Sequence, residues 1–123
     1  MNFSNFTRRS KTFIEQSQKL AMSNEHQQVL PEHLLRVFLD NYLKKNFSLL
    51  KNINFDENIL HEYLNDKFKK IPKVFGDDLK IIFSDDYLRI LQKSSQDIHI
   101  FGDKFISPEV LFYSLLTFDD KEI

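Results

Sequence analysis

The feature that most restricts the fold of this chain is an internal repeat, which relates its two halves without a gap. Residues of the first half match residues 77 positions later, beginning with Thr7 and Ser84. The longest match sets Pro-Glu-His-Leu-Leu at 31–35 against Pro-Glu-Val-Leu-Phe at 108–112. The other matched pairs are Phe13 with Ile90, Ile14 with Leu91, Ser17 with Ser94, Val29 with Ile106, Phe38 with Leu115 and Leu39 with Leu116. Chance similarity between amphipathic helices is the alternative, and the ungapped match of a cap, a Pro-Glu pair and an apolar set argues against it.

Each half is predicted to form a helix–loop–helix unit, because apolar residues recur at the spacing of one helical face and the whole chain has only two Gly and three Pro. The predicted helix starts are Thr7 as a cap, Pro31 as a first helical residue, Asp56 as the cap of a helix to about Phe68, Ser84 as a cap, and Ser107 as the cap before Pro108. The prediction is an all-α fold of two helical repeats packed about a pseudo-two-fold axis around one core.

Composition narrows the class of protein. The formal net charge of -1 argues against a nucleic-acid partner, which calls for a basic excess. No apolar run is long enough to span a membrane, and the first ten residues lack the apolar core of a signal peptide. The absence of Cys excludes disulfides and thiolate metal sites and suits a reducing compartment. We therefore expect a cytoplasmic protein with no membrane partner.

Chemistry-bearing motifs are missing from the sequence. The four His residues form no His-Glu-x-x-His pair, so we expect no metal, and we assign His26 and His33 to the turn and the packing of the first repeat. No glycine-rich phosphate loop of the form G-x-x-x-x-G-K-[ST] occurs. The pairs Asp77-Asp78 and Asp85-Asp86 resemble solvated helix starts more than a catalytic carboxylate pair. The sequence thus predicts no catalytic site and no cofactor within this chain.

Four stretches carry a family resemblance. They are Phe6-Thr7 with the amphipathic run that follows, the segment 26–35 (His-Gln-Gln-Val-Leu-Pro-Glu-His-Leu-Leu), the segment 71–76 (Ile-Pro-Lys-Val-Phe-Gly) and the segment 102–109 (Gly-Asp-Lys-Phe-Ile-Ser-Pro-Glu). In order and spacing they resemble the Clp N-terminal domain, the double repeat that precedes the ATPase modules of Clp chaperones. The segment 71–76 is similar to the connector typical of the ClpB type.

The resemblance implies one domain over residues 1–123, with repeat 1 at about 6–70, a connector at 71–76 and repeat 2 at about 77–123. It also implies a binding role, in which the domain captures exposed apolar segments of unfolded or aggregated proteins for an ATPase ring. ATP would bind only in the parent protein's other modules, which form a hexamer, and the isolated domain is expected to be a monomer. Because the family domain usually continues for about two more helices, we expect that repeat 2 is truncated.

The same resemblance suggests the site residues. Thr7, Asp103 and Glu109 match positions that the ClpB family links to substrate engagement, and Ile90, Leu91 and Val110 are expected to contribute to an apolar groove. Each has a structural alternative. Thr7 is an ordinary N-cap, Asp103 suits a turn, and Glu109 suits the first turn of a helix. Ile90 and Leu91 suit a core, whereas Val110 is expected on an outward face.

Two departures from the family pattern are expected to affect the groove. Asp97 stands where the family usually has an apolar residue, and Lys93 lies one turn earlier. Charge on that face would shrink the groove or make it more selective. Leu30 also replaces a small or capping residue before Pro31.

Two other functions remain open at this point. An adaptor-docking domain of a protease-linked Clp unfoldase (the ClpA or ClpC type) would bind a specific folded adaptor tightly, and the connector argues against it. A stand-alone helical scaffold would keep the fold without capturing clients.

Overall fold

The computed structural model describes residues 3–43, 55–76 and 80–118. Five helices dominate these residues: α1 (Arg8–Ser23), α2 (Pro31–Leu43), α3 (Glu57–Lys70), α4 (Asp85–Phe101) and α5 (Pro108–Leu116). Two short strands, β1 (Gln28–Val29) and β2 (Ile82–Phe83), complete the list. The predicted all-α class is confirmed, although the strands were not predicted. The predicted pair Asp77-Asp78 and the residues after Phe118 lie outside the described residues.

The helices begin where the capping residues predicted. The side-chain oxygens of Thr7, Ser84 and Ser107 accept the backbone N–H groups of Ser10, Tyr87 and Val110, and Asp56 accepts from two amides of α3. Each such bond satisfies a donor that the first helical turn cannot pair internally. Helix α4 ends at Gly102, whose φ of 67° is the left-handed conformation that helix C-termini favour.

The strand pairing shows the pseudo-two-fold relation directly. Val29 of β1 pairs in parallel with Phe83 of β2, and an isolated parallel bridge joins Phe6 to Ile106. Under the repeat offset, Val29 corresponds to Ile106 and Phe83 to Phe6, so each bridge is the image of the other. The flanking bonds correspond as well: Thr7 N–H donates to the Ile106 carbonyl and Ser84 N–H to the Val29 carbonyl, both at 3.0 Å. The segment before the first helix of each repeat therefore crosses to the other repeat.

The helices enclose one shared core. Helix α1 packs on α2 and α4 packs on α5, while α5 also touches α1 and α2. Phe38 lies at the centre, with its ring 5.1 Å from that of Phe13 and 4.9 Å from that of Phe112. The buried set is Phe6, Phe13, Ile14, Ala21, Val29, Leu34, Val37, Phe38, Tyr87, Ile90, Leu91, Ile106, Val110, Leu111 and Phe112. Because both repeats contribute to this set, neither half could bury its apolar face alone.

A second, smaller core fastens α3 to α2. Leu39 and Leu64 are fully buried and Phe68 is nearly so. This cluster has only three buried members, so α3 is held by much less buried apolar surface than the other helices. The attachment of α3 depends correspondingly more on polar contacts near its C-terminal end.

Candidate functional site

The polar candidates meet where the two repeats cross. Thr7 caps α1, and its backbone N–H donates to the carbonyl of Ile106. Ser10 Oγ donates to the same carbonyl at 2.8 Å. Asp103 is exposed three residues before Ile106, and Glu109 lies three residues after it in the first turn of α5. The Phe6–Ile106 bridge thus sets Thr7 beside the segment that carries Asp103 and Glu109, and we call this region the crossing surface.

The three apolar candidates do not line this surface. Val110 and Leu91 are completely buried and Ile90 is 1% exposed. The expectation that Val110 faces outward is wrong, because α5 packs against α1, α2 and α4 together. A short helix enclosed on three sides is apolar nearly all round. Leu91 follows its structural alternative and packs in the core, and so does Ile90, which also contributes to the lining of a cleft described below.

Exposed aromatic rings stand in place of the predicted apolar groove. Phe105, one residue before Ile106, is 55% exposed, and Phe101 at the end of α4 is 42% exposed. The Phe101 ring meets Tyr113 edge-on at 5.4 Å. The sequence did carry a signal for the exposure of Phe105. The residue that corresponds to it in repeat 1 is the polar Gln28, so this position does not belong to the core that the two repeats share. We include these rings in the crossing surface because Phe101 and Phe105 flank Asp103 in the chain.

Asp97 and Lys93 are engaged at the contact of α4 with α5, and the expectation that their charges alter the groove stays a prediction. Asp97 is buried between α4 and α5, where its carboxylate accepts from Lys93 Nζ and from Ser114 Oγ at 2.8 Å. Lys93 Nζ also donates to Thr117 Oγ1 and lies 5.2 Å from the centre of the Tyr113 ring. A charge that finds these partners costs little to bury, so it can replace an apolar residue at this helix contact.

Comparison with known proteins identifies the family. The profile of the Clp repeat (R) N-terminal domain matches residues 5–123, which is nearly the whole chain. The chain belongs to the Clp repeat N-terminal domain family. Among curated relatives, the chaperone protein ClpB of Rickettsia prowazekii is 36% identical over 121 residues, and that of Rickettsia typhi is 35% identical. Each alignment covers 98% of this chain but 14% of the relative, so the chain spans about one seventh of those proteins' length.

Solved Clp domains share the fold. The N-terminal domain of Hsp104 from Candida albicans superposes with a TM-score of 0.77 at 23% identity, over 93% of this chain and 75% of that one. The N-terminal domain of ClpD from Arabidopsis thaliana gives a TM-score of 0.72 at 21% identity, over 98% and 80%. Within the described residues, no helix of this Clp domain is long and apolar enough to cross a membrane.

The pseudo-symmetric counterpart of the crossing surface in repeat 1 is a cleft of about 590 Å³. The repeat offset sets Ser84 in the place of Thr7, Glu32 in that of Glu109 and Gln28 in that of Phe105. The cleft is lined by Gln28, Leu30, Pro31, Glu32, Lys67, Ser84, Asp85, Asp86, Arg89, Ile90, Leu115 and Phe118. Its lining holds five charged and five apolar side chains, and Gln28 stands where repeat 2 has the exposed Phe105. The two halves of the Clp domain therefore present related frames with different chemistry.

His26 and His33 hold the turn and the packing of repeat 1, as the sequence predicted. Both are buried, and His26 Nδ1 lies 2.9 Å from His33 Nε2. His33 Nδ1 accepts the backbone N–H of Leu30 at 2.8 Å, which caps the start of α2 where Leu30 itself has no capping group. Burial lowers the pKa of His33 from 6.5 to about 4, and the neighbouring His26 adds to this effect. Asp85 and Asp86 lie in the first turn of α4, where Asp86 pairs with Arg89 at 3.4 Å.

Proposed function

We propose that this chain is the client-capture domain of a ClpB-type disaggregase and that its crossing surface binds exposed apolar segments of unfolded or aggregated proteins. The observation that supports this most directly is the exposure of Phe105 and Phe101, which flank Asp103 in the chain. Large exposed rings rimmed by polar groups are the usual chemistry of a protein-binding surface.

The exposed area predicts weak binding. Phe105 is 55% and Phe101 is 42% exposed, so covering both rings completely gives about 1 kcal/mol for each. Ordering a flexible client offsets part of that gain. The two rings together supply about 2 kcal/mol, less than the roughly 4 kcal/mol that a dissociation constant of 1 mM requires, so the polar members must contribute the rest and we expect binding no tighter than the millimolar range. Weak capture suits a domain that must release its client to a translocating ring.

The polar members favour recognition of the client backbone over its sequence. Asp103 and Glu109 can only accept hydrogen bonds when ionised, so they suit the backbone N–H groups or the cationic side chains of a client. Thr7 Oγ1 already accepts from Ser10 N and donates to Ser10 Oγ. One lone pair therefore remains on Thr7 Oγ1 for a further donor. We expect clients that combine aromatic or aliphatic residues with Lys or Arg to bind best.

The remaining parts of the proposal concern the parent protein. The length of the ClpB relatives supports a protein in which ATP binds to other modules and drives hexameric assembly and translocation. In that arrangement the present domain supplies no catalysis and needs no cofactor. We further propose that the isolated domain is a monomer and that the protein acts in the cytoplasm.

The test is an NMR titration of the isotopically labelled domain with reduced, permanently denatured casein. We expect shift changes confined to the crossing surface, with weaker binding in Phe105→Ala and in the double variant Thr7→Ala with Asp103→Ala. The control for the first is Phe75→Ala, because Phe75 is 72% exposed but lies in the connector. The control for the second is Ser84→Ala, which removes the equivalent helix cap from the other repeat.

Equal loss in Phe105→Ala and Phe75→Ala would mean nonspecific adhesion and would contradict a defined site. A flat casein titration with tight binding of a folded adaptor would favour the adaptor-docking function. Binding of neither class, with the fold intact, would favour a scaffold.

A further inference from the structure

The buried histidines of repeat 1 form a hydrogen-bond relay whose direction is fixed at its Leu30 end. The relay starts at the backbone N–H of Leu30, which donates to His33 Nδ1. Since Nδ1 is an acceptor there, a neutral His33 carries its proton on Nε2 and donates it to His26 Nδ1. A neutral His26 then carries its proton on Nε2, and its ring lies 5.9 Å from that of Phe68.

The relay joins α3 and the connector to the rest of repeat 1. Phe68 lies in the last turn of α3, and its ring stacks on His33 with centroids 4.9 Å apart and planes 10° from parallel. Close by, the N–H of Val74 donates to the carbonyl of Glu25 at 2.9 Å. These contacts supplement the small core of Leu39, Leu64 and Phe68, which is the main apolar attachment of α3.

Neither ring can accept a second proton without breaking the relay. A proton from solvent on His33 Nδ1 would face the Leu30 N–H donor. A proton on His26 Nδ1 would face the Nε2–H of His33. Two donors then oppose each other in a buried site, and an unsatisfied buried polar group destabilises the contact strongly. The opposition is removed only if the rings separate or reach water.

The surrounding charged residues do not stabilise a second proton on either histidine. Lys73 of the connector acts on His26 and lowers its pKa further, in addition to the larger effect of burial. On α2, Glu32 pairs at 4.0 Å with Lys67 of α3, and Arg36 pairs with Asp40. Glu25, next to His26 in the preceding turn, is half-buried and adopts a positive φ of 59°. The carboxylate of Glu32 is thus already paired with a cation.

We propose that the His26–His33 relay is an acid-sensitive latch, which releases the C-terminal part of α3 and the connector when either ring is protonated while the shared core stays folded. Release would uncover the small apolar core of α3. It would also withdraw Lys67 from the wall of the repeat 1 cleft. This device does not depend on the crossing surface or on client capture.

The sign of the pH dependence follows from linkage. Both pKa values are lowered from 6.5 in the closed state, so between that value and the closed-state values the released form binds protons that the latched form does not. The latch is therefore fully effective above pH 6.5 and weakens as the pH falls. Each histidine contributes at most a tenfold rise in the opening equilibrium per pH unit.

Histidine NMR and native-state hydrogen exchange on the whole chain test the proposal. At neutral pH, both rings should be the Nε2–H tautomer. Between pH 6.5 and pH 4.5, opening of the Leu64 and Phe68 amides should rise by up to about tenfold per pH unit for each histidine that takes up a proton on release, after correction for intrinsic exchange. Opening of the α4 amides should change far less.

The informative variant is the double change His26→Gln with His33→Gln, because Gln offers both a donor and an acceptor but does not titrate. Its α3 opening should be independent of pH over this range, whereas the control His61→Gln, on α3 but outside the relay, should retain the dependence. Three results would each overturn the latch. They are an Nδ1–H tautomer in the unmodified chain, an opening of α3 that does not depend on pH, and simultaneous loss of protection in α3 and α4. The tautomer measurement on the unmodified protein decides the question even where the double variant does not fold.

Discussion

The polar network between α4 and α5 gives a stability prediction that can be worked out from the structure. Replacing Asp97 by Ala removes an acceptor that binds Lys93 Nζ and Ser114 Oγ. Hydrogen bonds to a charged group contribute about 1.5 to 3 kcal/mol each when buried. The Asp97 and Lys93 side chains are 12% and 28% exposed, so water partly compensates the freed lysine. We therefore expect Asp97→Ala to lower the free energy of unfolding by about 2 to 3 kcal/mol.

A double-mutant cycle isolates the contribution of the ion pair. Lys93→Met keeps the apolar stem, and Asp97→Leu restores the residue type that the repeat offset gives at Leu20. We expect a coupling of about 1 to 2 kcal/mol between the two positions. The double variant should return to within about 1 kcal/mol of the parent, because apolar packing can replace a buried ion pair.

Urea unfolding followed by far-UV circular dichroism measures these values, provided that the m-value stays constant across the series. The control is Asp40→Ala, which breaks the Arg36–Asp40 pair with the same i,i+4 spacing but a carboxylate side chain that is 40% exposed. It should cost about 0.5 kcal/mol or less. A coupling below about 0.3 kcal/mol, or an Asp97→Ala cost equal to that of the control, would refute the view that Asp97 is a buried member of a network.

Substitutions at three further positions test the local structure by the same urea assay. Ser84→Ala should cost about 1 kcal/mol because the first turn of α4 loses its cap, and Ser84→Asp should retain most of the stability. Gly102→Ala should lower the free energy of unfolding by about 1 kcal/mol. An added Cβ meets no atom within 4 Å, so only the backbone φ of 67° opposes the change. A much larger loss of stability would show a steric clash. Leu64→Ala should cost about 2 to 3 kcal/mol and raise hydrogen exchange in α3 well before α4, whereas a uniform rise would mean that α3 is not a separate unit.

Local chemistry explains why the helix starts could be predicted. A cap at Thr7, Ser84 or Ser107 works through a hydrogen bond to an amide three residues away, so its effect is contained in a few consecutive residues. Pro31 and Pro108 act in the same local way through their fixed φ. The sequence also predicted that His33 contributes to the packing of repeat 1, because it is not part of a metal-binding motif. Its role as the acceptor for the Leu30 N–H became visible only in the structure.

The candidate site was predicted only in part. The family resemblance supplied Thr7, Asp103 and Glu109, and the Phe6–Ile106 bridge sets Thr7 beside the segment that carries the other two. The apolar members were misplaced because Val110 lies on a helix that is covered from three sides. The periodicity of α5 alone cannot show how many neighbours a helix has.

The sequence alone determined the architecture of this Clp domain. Caps, Pro-Glu pairs and apolar faces are local patterns that repeat in both halves, and each helical unit needs a partner to bury its apolar face. Only the tertiary structure decided which surfaces stay exposed and which charges are buried. The exposure of Phe105, the burial of Asp97 against Ser114 and the contact of His26 with His33 are examples. Except for the two histidines, these outcomes depend on residues far apart in the chain or on the coverage of whole helices, which local patterns do not encode.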